Sequence, residues 1–261
     1  MKKALIIFFI FLTNAAVAQN DAAELAKKLA NPISSLISVP FQNNTDYGIG
    51  ELKGSRNTMN IQPVVPLSLS KNLNLITRVI MPIITQYNIT GEKEKQSGLS
   101  DFTLSGFFSP AVSKNGFTWG AGPVFLLPVG THDLLTGKKF GIGPTAVALK
   151  QSKGFTIGAL IGQVWSVAGS DSRPDVNQMF FQPFFTYNWR TGAGCGFNFE
   201  YVQNWEASTS TVFFNPIITA VTSFGKQKLQ MGVGPRINIV APSGMSSDWG
   251  WRAVAIFLFP K

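Results

Sequence analysis

One cysteine and one histidine occur in the 261 residues of this chain. Cys195 alone cannot form an internal disulfide, so no cystine framework holds the fold. His132, with no cysteine pair nearby, does not make a transition-metal site. It stands beside Asp133 in a polar stretch, where no nucleophile is held against a base as a hydrolytic triad requires. The expectation is therefore no catalytic residue, no metal and no cofactor. Charge is scarce too, at 13% against about 25% in an ordinary soluble domain. After the first twenty residues no apolar run approaches the roughly 18 residues that mark a spanning helix. Yet 45% of the chain is hydrophobic and 22 residues are phenylalanine. A closed barrel gives that surplus a place against lipid, because every backbone group then pairs between strands.

The N-terminus has the three parts of a secretory signal: Lys2 and Lys3, an apolar run Ala4–Leu12, and the small-residue site Ala16-Val17-Ala18. The run is too short to span a bilayer as a helix. Residues 1–18 are thus expected to be removed, which lowers the formal net charge from +9 by two, to +7. An exported basic chain without a Lys/Arg-rich, aromatic-interleaved stretch is not expected to bind nucleic acid. Its cations suit an anionic outer leaflet or a pore lining. The expected partners are outer-membrane lipid and lipopolysaccharide, the barrel-assembly machinery and a small-molecule solute.

Residues 19–32 read as a periplasmic lead-in, with a short helix from the cap Asp21 to Ala30 and a stop at Asn31-Pro32. From residue 33 to 261 the chain reads as one all-β unit, a transmembrane antiparallel β-barrel. The strand-like runs are Ile33–Ile49, Thr58–Ser70, Leu73–Tyr87, Leu99–Val112, Phe117–Pro128, Phe140–Gln151, Gly154–Ser166, Asn177–Arg190, Ala193–Glu206, Thr211–Phe224, Lys228–Val240 and Trp249–Pro260. They number about twelve. Short turns such as Ser152-Lys153 and Thr191-Gly192 alternate with longer polar links such as Asn88–Gly98 and Val129–Lys139, as in barrels with short periplasmic turns and longer outer loops.

Period-two patterning supports this in several runs. Met59, Ile61, Pro63, Val65, Leu67 and Leu69 share one face, as do Leu73, Leu75, Val79, Met81 and Ile83, and Trp249, Trp251, Ala253, Ala255, Phe257 and Phe259. Cys195 shares parity with Phe197, Phe199 and Tyr201 and is expected to face lipid. Phe117–Pro128 and Phe140–Gln151 alternate too poorly for a facing to be assigned. Trp119, Trp165, Tyr187, Trp189, Trp205, Trp249 and Trp251 lie near strand ends, where interfacial girdles sit.

The opposite parity carries the candidate lumen-lining residues Asn60, Gln62, Arg78, Gln182, Glu200, Arg236 and Arg252, with Asp101 near the outer end of its strand. Two readings stay open: groups lining a pore, or groups that pair and fill a narrow barrel. Gly-x-Gly-Pro occurs at Gly120–Pro123, Gly141–Pro144 and Gly232–Pro235. No helix follows any of the three, so these are sites of wall curvature or broken ladder rather than phosphate loops.

The segments NPISSLISVPFQNNTDYGIG at Asn31–Gly50, NIQPVVP at Asn60–Pro66 and NLITRVIMP at Asn74–Pro82 resemble the outer-membrane proteins named for the meta-pathway of phenol degradation, a family whose members are often labelled "transporter" or "neuromedin U". The resemblance implies a barrel in the cell outer membrane with a transport role for small aromatic or apolar compounds, and no catalytic residues. The chain departs from the usual aromatic C-terminus of outer-membrane barrels, since Pro260-Lys261 follows Phe259.

A channel or transporter for small molecules is the leading expectation. The alternatives are a closed structural or adhesive barrel whose outer loops, including Glu92-Lys93-Glu94-Lys95, bind a partner, and a soluble secreted barrel holding a ligand. The mature protein is expected to begin at Gln19, and intact-mass measurement retaining residues 1–18 would refute the cleavage site.

Overall fold

The computed structural model describes residues 22–225 and 227–259. The signal segment, the expected cap Asp21 and Pro260-Lys261 lie outside them. The chain forms a closed antiparallel barrel of twelve strands, three of which are broken once. They are β1 (Ile37–Ile49), β2 (Gly54–Ile61, continued by Val64–Ser68), β3 (Leu73–Tyr87), β4 (Lys95–Leu99, continued by Phe102–Pro110), β5 (Phe117–Leu127) and β6 (Lys139–Ser152). The second half comprises β7 (Phe155–Gly169), β8 (Asn177–Asn188), β9 (Ala193–Asn204), β10 (Thr209–Phe224), β11 (Gln227–Pro235, continued by Ile237–Val240) and β12 (Trp249–Phe259). Each strand pairs with its sequence neighbours, and β1 closes the ring on β12 in a register from Ile37↔Phe259 to Tyr47↔Trp249.

The register fixes which way every side chain points, because successive residues alternate across the wall. In β1 the even residues Ser38, Asn44 and Asp46 point inward, and Ile37, Val39 and Phe41 point outward. Pairing carries this assignment around the ring. The expected apolar faces of β2, β3 and β12 all point out, and Cys195 joins Tyr187 on the outside of the β8–β9 pair. Leu67, Ile83, Phe108, Ile157, Ile161 and Ile218 are exposed on the outer wall, an apolar band of the kind lipid covers. Aromatic rings border it, with Tyr47 stacked on Trp249 at the loop end and Tyr187 edge-on to Trp189 at the opposite end.

The three Gly-x-Gly-Pro sites share one geometry. Pro123 and Pro144 face each other across β5 and β6, and each lies where pairing with its other neighbour lapses. The preceding glycines permit close backbone approach there: a Cβ on Gly122 would lie 2.0 Å from the Gly106 carbonyl oxygen, and one on Gly143 1.8 Å from that of Gln163. Gly234-Pro235 repeats the arrangement against Pro216. A proline has no donor to offer a ladder, so it sits where the wall bends and the ladder is already interrupted.

The lead-in departs from expectation. The helix of residues 22–29 lies across the end of the barrel that carries the short turns, and the chain to residue 36 runs up inside the wall rather than outside it. Its carbonyls are held from distant strands: Gln151 of β6 donates to Lys27 O at 2.8 Å and Asn188 of β8 to Ala26 O at 3.4 Å. Leu25 and Leu36 bury against Leu258, Val221 and Ile256, while Ile33 joins Val64, Ile76, Phe107, Val147, Leu149 and Leu160. The sequence pattern opens the first strand at Ile33. Ile33 is instead a core residue of an internal plug, and β1 starts four residues later. Each such aliphatic burial contributes about 1.5–3 kcal/mol, enough to keep the segment seated.

The wall's two faces should respond oppositely to charge. Ala255→Arg places a guanidinium on the outer face beside Phe257 and should lower refolding yield, since an arginine facing lipid near the midplane costs about 2–4 kcal/mol. Yield is read from the fraction of detergent-resistant, heat-modifiable protein on gels. A variant that refolds as well as the parent would overturn the facing.

Candidate functional site

The lumen divides by height and by wall. Toward the loop end, strands β9 to β12 and β1 contribute a connected polar network. Glu200 lies between two arginines, its Oε2 2.6 Å from Arg236 Nη1 and its Oε1 2.6 Å from Arg252 Nη2. Arg236 Nε donates to Asp46 at 3.3 Å, its Nη1 donates to Asn215 at 3.0 Å, and its guanidinium sits 3.5 Å over the Phe213 ring. Arg252 donates to Asn44 at 2.7 Å and to Asn198 at 3.3 Å, and Asn215 donates to Asn198 at 2.9 Å. Two carboxylates and three amides thus accept from two guanidinium groups. Ions removed from water cost several kcal/mol unless geometry and further hydrogen bonds compensate, and here most of the polar atoms are paired while Asp46 Oδ1 has no hydrogen-bond partner.

A second polar group lies nearer the loops. Arg56 of β2 donates twice to Gln86 Oε1, at 2.8 and 3.1 Å, and Gln86 donates to Gln96 at 3.1 Å. Lower down, Arg78 of β3 donates to Gln62.

The facing wall is richer in apolar side chains. A lumenal cavity of about 250 Å³ is lined by Ile80, Phe107, Leu126, Leu160, Val164, Phe180 and Val202, with the polar Arg78, Thr103, Ser105, Gln178, Gln182 and Glu200 set among them. Beneath it a smaller cavity, about 190 Å³, lies between the plug residues Leu29, Asn31, Pro32 and Ser34 and the wall, and Arg78 borders this one as well.

Of the sequence-derived candidates, Gln62, Arg78, Gln182, Glu200, Arg236 and Arg252 lie inside the barrel. Asn60 has the same parity on β2 without a side-chain bond in the network. Glu200, Arg236 and Arg252 pair among themselves, while Arg78 and Gln182 border the cavity. Asp101 is a correction. It lies at the break in β4, where its carboxylate accepts from Thr136 Oγ1 at 2.5 Å, Gly137 N at 2.7 Å and Gly130 N at 3.2 Å. It clamps the 128–138 loop rather than lining the lumen. The same break reverses the inward parity of β4, from Gln96 and Gly98 to Thr103, Ser105 and Phe107.

That loop leans over the mouth. Thr131, His132 and Leu135 approach Gly98, and Ser100 donates to Leu135 O at 2.6 Å. The His132 Nδ1 accepts from Leu134 N at 3.2 Å. Lys138, 2.7 Å from Asp133, holds that carboxyl below the usual carboxylate range by hydrogen bond and charge, and Lys139 and Ser166 do the same for Asp175. Depressed carboxyls make these clasps present at neutral pH and lost as pH falls through the lowered values.

Asp46, Asn44, Arg56, Asn198 and Asn215 escaped the sequence reading. Arg56 falls in what reads as a loop, and the others are single polar residues in runs whose facing only pairing reveals.

No protein-family model and no curated protein sequence matches the chain. Among solved structures, an outer membrane channel from Pseudomonas putida F1 has a TM-score of 0.68 at 14% identity, over 88% of this chain and 97% of that one. The likeness is one of fold. Outer membrane phospholipase A from Escherichia coli gives 0.49 at 10% identity over 85% and 92%. The transport unit of the autotransporter AIDA-I from the same organism gives 0.45 at 9% over 94% and 99%.

Removing Glu200 should strand two buried cations. Breaking a buried pair by deleting one partner costs about 3–5 kcal/mol, so Glu200→Ala should unfold at clearly lower urea than the parent in lipid vesicles, with Glu200→Gln in between. Coincident unfolding curves for all three would mean that the network does not hold this part of the wall.

Proposed function

We propose that this chain is an outer-membrane channel or transporter for small molecules, with its helix and short turns on the periplasmic side and the 128–138 and 170–176 loops outside. The observation that carries the reading is the lumenal cavity, enclosed by the closed barrel wall and lined mostly by apolar residues with a few polar ones set among them. Small-molecule sites have this composition: mostly apolar, with a few placed polar groups. The fold it shares with an outer membrane channel from Pseudomonas putida F1 supports the same reading.

The plug is the observation that favours a second reading, a closed structural barrel. Residues 22–36 fill the lower lumen, so a solute can leave toward the helix end only past them or after they move. Planar-bilayer conductance separates the two. The mature chain should give small steps, and a variant lacking residues 22–36 should give steps several-fold larger, once heat-modifiability confirms that it is folded. If neither protein conducts, the closed-barrel reading takes its place.

A further inference from the structure

We propose that Arg78 is the anion-binding residue of a lumenal site that takes a small amphipathic monocarboxylate, its head on Arg78 and its apolar body against Leu126, Leu160, Val164 and Phe180. This rests on the transport reading and names its substrate class.

Four inward arginines occupy the lumen, and three of them are accounted for. Arg236 and Arg252 share Glu200, and Arg236 also pairs with Asp46. Arg56 spends two donors on Gln86. Arg78 differs. Among the described residues no carboxylate forms an ion pair with it, and its one side-chain hydrogen bond is to the neutral Gln62. A cation inside the barrel, with most of its five donors uncommitted, is a ready partner for an anion that can enter.

Its position selects the anion. Arg78 borders both the larger cavity and the smaller one against the plug, so a group bound to it stands where the lumen narrows above residues 29–34. The planar fork of a guanidinium matches a carboxylate with two parallel hydrogen bonds. Glu200 also borders the larger cavity, but both its oxygens are taken by arginines at 2.6 Å, so it forms no ion pair with Arg78. One unpaired cation calls for one negative charge.

The remaining lining describes the rest of the ligand. Leu126, Leu160, Val164 and Phe180 supply aliphatic and aromatic lining to the same cavity as Arg78, and its volume of about 250 Å³ holds on the order of eight groups the size of a water molecule, each about 30 Å³. An eight-carbon acid is of that size. Polycarboxylates fit the lining poorly, since Arg78 is its one cation and a second negative charge would face Glu200.

Octanoate, 1-octanol and octylammonium serve as anionic, neutral and cationic probes of equal length. Each is titrated calorimetrically into the mature protein in lipid nanodiscs, with empty nanodiscs subtracted. Octanoate should bind the parent at least tenfold more tightly than either other probe. Arg78→Met should lose that tenfold preference while keeping its 1-octanol affinity, Arg78→Lys should retain part of it, and Arg56→Met should leave it unchanged. Equal binding of octanoate and 1-octanol to the parent, no octanoate binding at all, or octanoate binding indifferent to Arg78→Met would each overturn the assignment. Bilayer conductance of the same samples keeps the two readings apart. Arg78-dependent octanoate binding in a non-conducting barrel leaves the site standing without transport, and conduction with Arg78-independent binding does the reverse.

Discussion

A polypeptide in hydrocarbon has no water to satisfy its amides, so each backbone N–H and C=O in the wall must find another strand. In this protein the constraint is met by closing a twelve-strand sheet on itself, with β1 and β12 joined over eleven residue pairs and β9 to β10 over twelve. Once the ring is closed, the pleat alone divides the sequence into lipid-facing and lumen-facing halves. The prolines of the three Gly-x-Gly-Pro sites, which offer a ladder no donor, fall at the points where β4–β5, β6–β7 and β10–β11 pairing lapses. There the adjacent glycines let two backbones approach more closely than any side chain would permit.

Closure also creates an interior that wall side chains alone do not fill, since about eight strands already give a barrel just wide enough for side-chain packing. Two different solutions occupy the extra room. At the helix end, residues 22–36 insert aliphatic side chains and supply a small soluble-type core within the membrane wall. Toward the loops, long polar side chains reach across instead, and Glu200 between Arg236 and Arg252 ties β9, β11 and β12 together through the space they enclose. The cavity lies between these two fillings.

Much of this was legible in the sequence, because the lipid-facing half of a barrel must be apolar and its alternation survives reading by eye. The strand count, the outward faces of β2, β3 and β12, the outward Cys195 and the inward Glu200 and Arg252 all follow from parity. The plug was not legible. Leu25, Leu29, Ile33 and Leu36 recur every three or four residues, but a short amphipathic segment does not say which surface it covers. Asp101 failed for a different reason, since a break in β4 shifts parity by one residue and a single sequence carries no mark of such a slip.

Poor alternation turns out to be informative in its own right. The two runs whose facing could not be assigned, β5 and β6, are mostly apolar or glycine on both sides: Gly120, Gly122, Val124 and Leu126 point inward from one, Gly141, Gly143, Val147 and Leu149 from the other, with Thr118 and Thr145 the polar exceptions in their spans. They belong to an apolar interior wall that continues through Leu160 and Val164 of β7 to Phe180 and Phe184 of β8. The charged network occupies the opposite arc, β9 to β1. A barrel with a uniformly wet lumen would alternate cleanly all the way round, so loss of alternation confined to consecutive strands marks a lumen with one dry side. Arg78 stands on β3, where the two arcs meet.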